Sequence, residues 1–287
     1  SPQLFEYDDG GNLSTDGYYT FAYDSDNRLK TVSTNGVFIL ANFYDEKSRR
    51  VKKVTADAVI TFFYDDWNLV EERIVYTNGA MSTIHYCWGT DLSGTLHGVG
   101  GVGGLLYLTV DDEIYIQCYD NNSNITQYLD VNGYSVASYA YDSFGGIIMK
   151  SGPLADFFRH RFSTKYFDAE TGLYYYGYRF YSPELMRWIT QDPIGEDGGY
   201  NLYEFCMNSP LYIVDPLGDI AVIDIPGIMD AKKWDVGAAL MRHWFSLDSK
   251  TPTTPNETIV TMNWVLSFER AKQVYDKIFS EKQYVNK

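Results

Sequence analysis

Apolar and polar side chains alternate along short segments through the first half of the chain, and many of these segments end in a Tyr-Asp pair. Residues 17–36 illustrate the pattern. The alternating side chains flank a turn at Asp24–Asn27, with Tyr19, Phe21 and Tyr23 before it and Leu29, Thr31 and Ser33 after it. Period-two alternation bounded by Asp, Asn and Gly is typical of a β-hairpin. The pattern predicts strand, Tyr-Asp, turn and strand as the repeating unit.

The same unit recurs along the chain. Its Tyr-Asp pairs are Tyr7-Asp8, Tyr23-Asp24, Tyr44-Asp45, Tyr64-Asp65, Tyr119-Asp120 and Tyr141-Asp142. The long gap between the fourth and fifth pairs predicts a degenerate copy around 86–89. Hairpins that cannot bury their own apolar face stack on their neighbours. The predicted fold class is therefore mainly β, with stacked antiparallel hairpins in one large curved sheet.

Two regions depart from this pattern. The glycine-rich stretch 94–108 is not followed by the Lys-Ser/Thr of a phosphate-binding loop, and it predicts a bend or a tight backbone approach. In the tail, 234–245 and 267–282 have apolar residues at helical spacing, so 219–287 is predicted to be a small α-rich domain.

Composition separates the same two parts. The tail 219–287 has nine acidic and nine basic side chains, so residues 1–218 carry the whole net charge of −15. They also hold 24 of the 26 tyrosines, a residue that favours half-buried pleated surfaces. An acidic body excludes nucleic-acid binding through phosphate contacts. Two units joined near Gly218 are predicted.

Other kinds of site find little support in the sequence. Cys87, Cys118 and Cys206 cannot all pair and have no metal-site spacing, so they are interpreted as small buried or half-buried thiols. The histidines are scattered, His160 among them, and no metal or cofactor is predicted. The chain has no apolar run of membrane-spanning length, and no signal peptide is predicted from its first residues.

Two Asp-Pro-aliphatic-Gly motifs are the best candidates for chemistry. Asp192 and Asp215 each occupy the first position of a type I turn sequence, so each carboxylate could simply cap its own turn. Alternatively the two carboxylates lie close together, and one holds a proton while the other activates water, as in an aspartic protease. The second hypothesis requires the 23-residue separation to fold back, which the intervening turn residues permit.

The repeats resemble the YD repeats of the Rhs family, the bacterial polymorphic-toxin group that includes the C components of Tc toxins. The strongest pieces are KYFDAETGLYYYGYRFYSPELMRWITQDPIG and GGYNLYEFCMNSPLYIVDPLG; WGTDLSG (88–94) is a third. The resemblance covers residues 1–218. It implies a YD-repeat shell segment over 1–150, a plug-like repeat-associated core over 151–218, and a variable C-terminal domain over 219–287.

The resemblance also implies an activity. Family members cut themselves just after the Asp-Pro-x-Gly motif, which makes this chain a candidate single-turnover aspartic self-protease. Carried over residue by residue, Asp192 and Asp215 form the pair and Arg179 holds the site together. The scissile bond follows Gly218 by one residue, between Asp219 and Ile220. The chain departs from the family at Met186, usually Gly, and at Asp219, usually apolar.

The implied partners are the chain's own C-terminal segment as cargo, a secretion system or toxin complex, and an immunity protein. A secreted or cell-surface bacterial location follows, and a chain opening almost directly on a repeat is predicted to be a fragment of a longer one. Two other hypotheses stay open. The sheet could be a non-catalytic structural or adhesive module, or the tail could itself be a membrane-acting or enzyme-inhibiting toxin.

Overall fold

A computed structural model describes residues 5–219 and the backbone of 222–223. One antiparallel sheet of 14 strands dominates it, in which strands consecutive in the chain pair with each other and the first and last strands form the two edges. The mainly β prediction is therefore confirmed, whereas the predicted helical tail lies outside the described residues. The strands are β1 Glu6–Tyr7, β2 Leu13–Thr15, β3 Thr20–Tyr23, β4 Leu29–Thr34, β5 Val37–Tyr44, β6 Arg50–Thr55, β7 Ala58–Asp65, β8 Asn68–Tyr76, β9 Met81–Trp88, β10 Leu105–Val110, β11 Glu113–Tyr119, β12 Ile125–Leu129, β13 Ser135–Tyr141 and β14 Ile147–Ser151.

The Tyr-Asp pair marks the end of one strand and the start of a capped turn. In the second unit, the carboxylate of Asp24 accepts the backbone N–H of Asp26 and of Arg28. Asp45, Asp120 and Asp142 make the same pair of bonds in their own turns. The aspartate is used because its short carboxylate satisfies amides that the turn removes from the ladder.

A β-bulge follows each of these turns and changes which face is buried. Tyr23 pairs with Leu29 but Ala22 pairs with Thr31, so one residue of β4 is extra. As a result Val32 is fully buried on the same side as Leu29, while Thr31 is only partly buried. The predicted alternation of Leu29 with Thr31 and Ser33 was wrong beyond the first residue, because a bulge reverses the faces of the strand.

The tyrosines of successive units are linked to one another. Each donates its hydroxyl to a backbone carbonyl in the preceding unit, at the residue paired with that unit's own tyrosine. The bonds are Tyr23 to Leu13, Tyr44 to Leu29, Tyr64 to Arg50, Tyr119 to Leu105 and Tyr141 to Ile125. Trp88 fills the same place, because its ring N–H donates to Leu69. The degenerate copy predicted around 86–89 is therefore confirmed.

Replacing Tyr119 by Phe removes one of these hydroxyl-to-carbonyl bonds without changing the size of the ring. The hydroxyl lies 2.6 Å from the Leu105 carbonyl oxygen in a partly buried setting. We expect the free energy of unfolding to fall by about 1 kcal/mol, the usual net value of such a bond. Urea unfolding measures it. Tyr134→Phe, on a ring that is 71% exposed, is the control and should change the free energy by less than about 0.5 kcal/mol. Equal changes in the free energy of unfolding for the two variants would show that the bond from Tyr119 to Leu105 is not stabilising.

The region after the sheet packs against one face of it. It contains a small antiparallel sheet, β15 Tyr166–Asp168, β16 Leu173–Tyr175, β17 Phe180–Ser182 and β18 Arg187–Trp188, and a two-stranded pair, β19 Ile213–Val214 with β20 Val222–Ile223. Trp188 and the Tyr174–Tyr176 run belong to its core and are all at least 93% buried. A tight aromatic frame of this kind holds its polar residues in fixed positions.

Buried ion pairs join this region to the sheet. Asp168 on β15 accepts from Arg50 at 2.5 Å and from Lys53 at 2.8 Å, both on β6. All three side chains are at most 1% exposed. The Arg50 guanidinium also stacks on the ring of Tyr175, 4.6 Å from its centroid. The interface is therefore specified by charge and by aromatic packing together.

The glycine-rich stretch forms the long connection between β9 and β10. A Cβ on Gly101 would lie 2.4 Å from Asn68 Oδ1, and one on Gly104 would lie 3.2 Å from the Asp91 backbone. The expected tight backbone approach is confirmed. Among the described residues, no helix has the length and apolar character needed to span a membrane.

Candidate active site

The first Asp-Pro motif folds into the turn that its sequence predicts, and the second forms a bend in which the aspartate side chain, not its carbonyl, accepts the amide three residues on. Asp192 Oδ1 accepts the N–H of Ile194 at 3.0 Å, and the Gly195 N–H donates to the Asp192 carbonyl at 2.9 Å. Asp215 Oδ1 accepts the N–H of Gly218 at 2.6 Å, along with those of its neighbours on either side. The turn-capping role of both carboxylates is present in the structure.

The second oxygen of each carboxylate points to the same arginine. Arg179 Nη2 lies 3.0 Å from Asp192 Oδ2 and 3.4 Å from Asp215 Oδ2. The 23-residue segment between the aspartates therefore folds back, as the pair hypothesis requires. Capping and pairing are not alternatives here, because each carboxylate uses Oδ1 for its turn and Oδ2 for the arginine. The sequence predicted that one carboxylate holds a proton. In the structure the guanidinium of Arg179 contacts both carboxylates instead.

The fold fixes Arg179 in place between the carboxylates. It directly precedes β17, and its carbonyl accepts the N–H of Tyr176 at 3.1 Å. Its guanidinium lies over the ring of Trp188, 4.3 Å from the centroid, and its side chain is only 3% exposed. The attraction between a cation and an aromatic face offsets part of the solvation free energy that the cation loses when it leaves water. The arginine is therefore held between the ring of Trp188 and the two carboxylates.

Arg179 and Asp215 together hold one peptide unit. Arg179 donates from Nε to the carbonyl oxygen of Gly218, and the N–H of Asp219 donates to Asp215 Oδ1 at 3.2 Å. Gly218 has φ +81°, and a Cβ there would lie 3.2 Å from two atoms of Arg179, so this position requires glycine. Gly218 and Asp219 thus lie at the site, while Ile220 is outside the described residues.

The two aspartates differ in their surroundings. Burial raises the pKa of Asp192; Arg179 opposes the rise and Asp215 adds to it. The Asp192 side chain is 11% exposed and that of Asp215 only 3%. Because Asp215 Oδ1 accepts three backbone amides, Asp192 is the carboxylate better able to meet a water molecule and exchange a proton.

The two departures from the family pattern have separate structural effects. Met186 has φ +54°, a left-handed conformation that glycine adopts without strain, which fits the glycine that the family resemblance implies there. Asp219 acts on the Tyr178 hydroxyl, whose pKa is raised by burial and by this carboxylate.

In the described part of the chain, the surroundings of His160 and of the three cysteines indicate structural roles. His160 is buried among aromatic rings, and burial together with Lys165 lowers its pKa to about 3, so it stays neutral. Cys87, Cys118 and Cys206 are free thiols, the last of them buried, as predicted. No cluster of three or more metal-binding side chains occurs among the described residues.

Sequence reasoning missed one charged residue at this site. The buried Lys165 donates from Nζ to the carbonyl oxygen of Pro216 at 2.5 Å. It precedes Pro216 by 51 residues, so no local spacing links them. The one available signal was a lysine inside a strongly aromatic segment, where a charge requires partners.

The comparison that decides the family covers most of the chain. A family profile described as Teneurin YD-shell matches residues 3–211. The chain belongs to the YD-shell family. The resemblance to the Rhs and YD-repeat toxin-type group is thereby confirmed. A second profile, the family of unknown function DUF6402, matches residues 220–287, so its first residue is the one that follows the predicted scissile bond.

This YD-shell chain spans only about a tenth of the length of the WapA nucleases that it matches. The tRNA3(Ser)-specific nuclease WapA of Bacillus spizizenii is 30% identical over 226 residues, which are 75% of this chain and 9% of that protein. Toxin subunit YenC2 of Yersinia entomophaga is 52% identical over 58 residues, 20% of this chain and 6% of that protein. The solved structure of TcdB2-TccC3-TEV matches with a TM-score of 0.62 at 21% identity, covering 74% of this chain and 11% of its own, a likeness of fold.

Proposed function

We propose that this YD-shell chain encloses its own C-terminal segment and releases it by one hydrolysis between Asp219 and Ile220. The observation that carries the proposal is the position of Arg179. This single side chain contacts both candidate carboxylates and the carbonyl of Gly218, the residue before the proposed cleavage position. A cation there stabilises negative charge that develops on a neighbouring carbonyl oxygen during attack by water.

In this mechanism Asp192 transfers the proton. Its carboxylate removes a proton from water as the water oxygen bonds to the Asp219 carbonyl carbon. The bond from that carbon to the Ile220 nitrogen then breaks, and the same proton passes to the leaving amine. Water is consumed and no other reactant is needed. A base with a raised pKa accepts a proton more readily than an ordinary aspartate.

Asp215 acts by position in the same mechanism. Its Oδ1 atom holds the N–H groups of Leu217, Gly218 and Asp219, and its Oδ2 atom holds Arg179. These contacts fix the backbone on the N-terminal side of the proposed scissile bond. Fixing a reacting group in one geometry removes much of the entropic part of a barrier. The proposed roles of the two aspartates are therefore different.

The proposed cargo is the segment 220–287. Its support is that a separate family profile begins at residue 220 and that the acidic body differs in composition from a neutral tail. The proposed wider setting is a secreted bacterial toxin that works with a toxin complex or secretion system and an immunity protein. The toxin names of relatives such as YenC2 support this setting.

The capping bonds of Asp192 and Asp215 favour a second candidate function, a non-catalytic structural module.

The pH dependence of cleavage tests the role of Asp192. Because Asp192 must be ionised to act as a base, and burial raises its pKa, we expect the cleavage rate to rise with pH. The midpoint should lie above the ordinary aspartate pKa of about 3.9. Chain recovered unfolded from inclusion bodies is refolded at a series of pH values. Near-ultraviolet circular dichroism follows folding, and intact mass follows a fragment that begins at Ile220.

The fragment masses also separate this reaction from acid damage. Spontaneous scission of an Asp-Pro bond would cut after Asp192 or Asp215 and would give different masses. A cleavage rate that falls as the pH rises through the acidic range toward neutrality, in chains that fold equally, would contradict a basic role for Asp192.

A further inference from the structure

Three successive carbonyl groups of the second Asp-Pro turn are each held by a separate donor. The carbonyl of Gly218 accepts from Arg179, and that of Leu217 accepts the backbone N–H of Tyr178 at 2.9 Å. The carbonyl of Pro216 accepts from Lys165 Nζ at 2.5 Å. The first two donors are adjacent in sequence, whereas the third comes from the segment that leads into β15. The turn is therefore held from two sides.

Lys165 is itself held by the glycine-rich connection. Its Nζ also donates to the carbonyl of Gly100 at 3.1 Å. Gly100 has φ +57°, and a Cβ there would lie 2.8 Å from the Pro216 carbonyl oxygen, so the connection lies directly against the turn. Only a residue without a side chain allows both the conformation and this approach. The glycine-rich stretch thus has a place at the candidate site.

The conformation of this connection depends on Asp91, in the WGTDLSG segment. Asp91 Oδ2 accepts the N–H of Val99 at 2.8 Å and of Gly101 at 3.3 Å, on either side of Gly100. Asp91 is 5% exposed, and Lys165 is 6% exposed. A continuous chain of contacts therefore runs from Asp91 through Gly100 and Lys165 to the turn at Pro216.

We infer that Lys165 is a positioning residue for the proposed self-cleavage, holding the turn that presents the scissile bond. The inference rests on the proposed function and extends it to a second cation and to the glycine-rich connection. A buried ammonium on a carbonyl makes a stronger bond than a neutral donor would. Losing that bond lets the turn move, and misplacement by about 1 Å can lower a rate about 100-fold.

The charge of Lys165 is sensitive to pH near neutrality. Burial lowers its pKa to about 8, while Asp215 and Asp91 oppose the decrease. The ring of Tyr176 faces its ammonium at 5.5 Å, and the neutral His160 lies on the adjoining side. Above about pH 8 the ammonium loses its proton and the bond to Pro216 weakens. Cleavage should therefore decrease again on the alkaline side.

Two substitutions separate the charge from the packing. Lys165→Met removes the donor and keeps a similar volume, and we expect at least a tenfold lower cleavage rate. Lys165→Arg keeps a charge at every accessible pH, and a cavity of about 40 Å³ beside the lysine can receive the larger group. In this variant the decrease near pH 8 should disappear. Lys150→Met, at an exposed lysine on β14, is the matched control and should cleave like the wild type.

The measurement is the cleavage rate of the refolding chain from pH 5 to 10, by intact mass, with folding followed by near-ultraviolet circular dichroism. If Lys165→Met does not fold, the wild-type and Lys165→Arg profiles decide. A wild type that cleaves without an alkaline decrease near pH 8, or a folded Lys165→Met that cleaves at the wild-type rate, overturns the role of Lys165 alone. A folded wild type that never cleaves overturns the proposed function and this inference together.

Discussion

Replacing Asp192 by Asn is expected to leave the folded chain uncut. Asn keeps the size and the turn-capping oxygen of the side chain, but it cannot take a proton from water. Loss of a general base lowers a rate by about 10²–10⁴-fold. The contact of Asp192 Oδ2 with Arg179 at 3.0 Å would lose its negative charge and become at most a hydrogen bond from the arginine to a neutral amide. The remaining full-length fraction is measured by intact mass after refolding near neutral pH.

Asp26→Asn is the matched control for this substitution. Asp26 also lies in a turn, but its side chain is 64% exposed and it belongs to the YD sheet. We expect the control chain to cleave at the wild-type rate. An Asp192→Asn chain that folds and cleaves as fast as this control would exclude Asp192 as the base. Asp215 would then be the remaining candidate of the two Asp-Pro carboxylates.

Replacing Asp168 by Ala is expected to lower the free energy of unfolding by about 3–5 kcal/mol, the usual cost of removing one partner from a buried ion pair. The change leaves the buried cations Arg50 and Lys53 without their shared carboxylate. Burial alone would raise the pKa of Asp168, but the two cations outweigh it and hold the pKa at about 2. Urea unfolding at pH 7 measures the change.

The sign of the pH dependence follows from this low pKa. Asp168 ionises more readily in the folded chain than in the unfolded one, so its stabilising contribution is complete above about pH 4 and is lost as the pH falls toward about 2. Glu170→Gln is the control, because Glu170 pairs with the same Lys53 but is 23% exposed. Its effect should be at most about 1 kcal/mol. Similar losses for both variants would contradict a dominant role for the buried pairs.

The repeating hairpins could be predicted because their signals are local. A tyrosine, a capping aspartate and alternating side chains lie within a few residues of one another, and each acts on its own turn. The bulge after each turn could not be predicted, since one extra residue leaves no mark in a period-two pattern. Val32 rather than Thr31 therefore faces the core of the second unit. Bonds such as that from Tyr119 to Leu105 could not be predicted either, because they join neighbouring units and not neighbouring residues.

The candidate site could be predicted only where a motif carried it. Asp192, Asp215 and Arg179 were named from their motifs, and the fold brings the three side chains together. The resemblance implied that Arg179 holds the site together, but its contact with both carboxylates could not be predicted, because it depends on how the fold places all three side chains. Lys165 was missed entirely, since its partners come from the distant glycine-rich connection and from the second turn.

Intact mass of freshly purified, folded wild-type chain beside Asp192→Asn and Asp215→Asn is the most direct test of self-cleavage. All handling must stay near neutral pH, because acid breaks Asp-Pro bonds. We predict that the wild type is cut between Asp219 and Ile220 and that its tail is released on denaturation. Both variants should stay full length. A folded wild type that stays full length would contradict this prediction, and the two Asp-Pro turns would then be structural elements of a non-catalytic YD-shell.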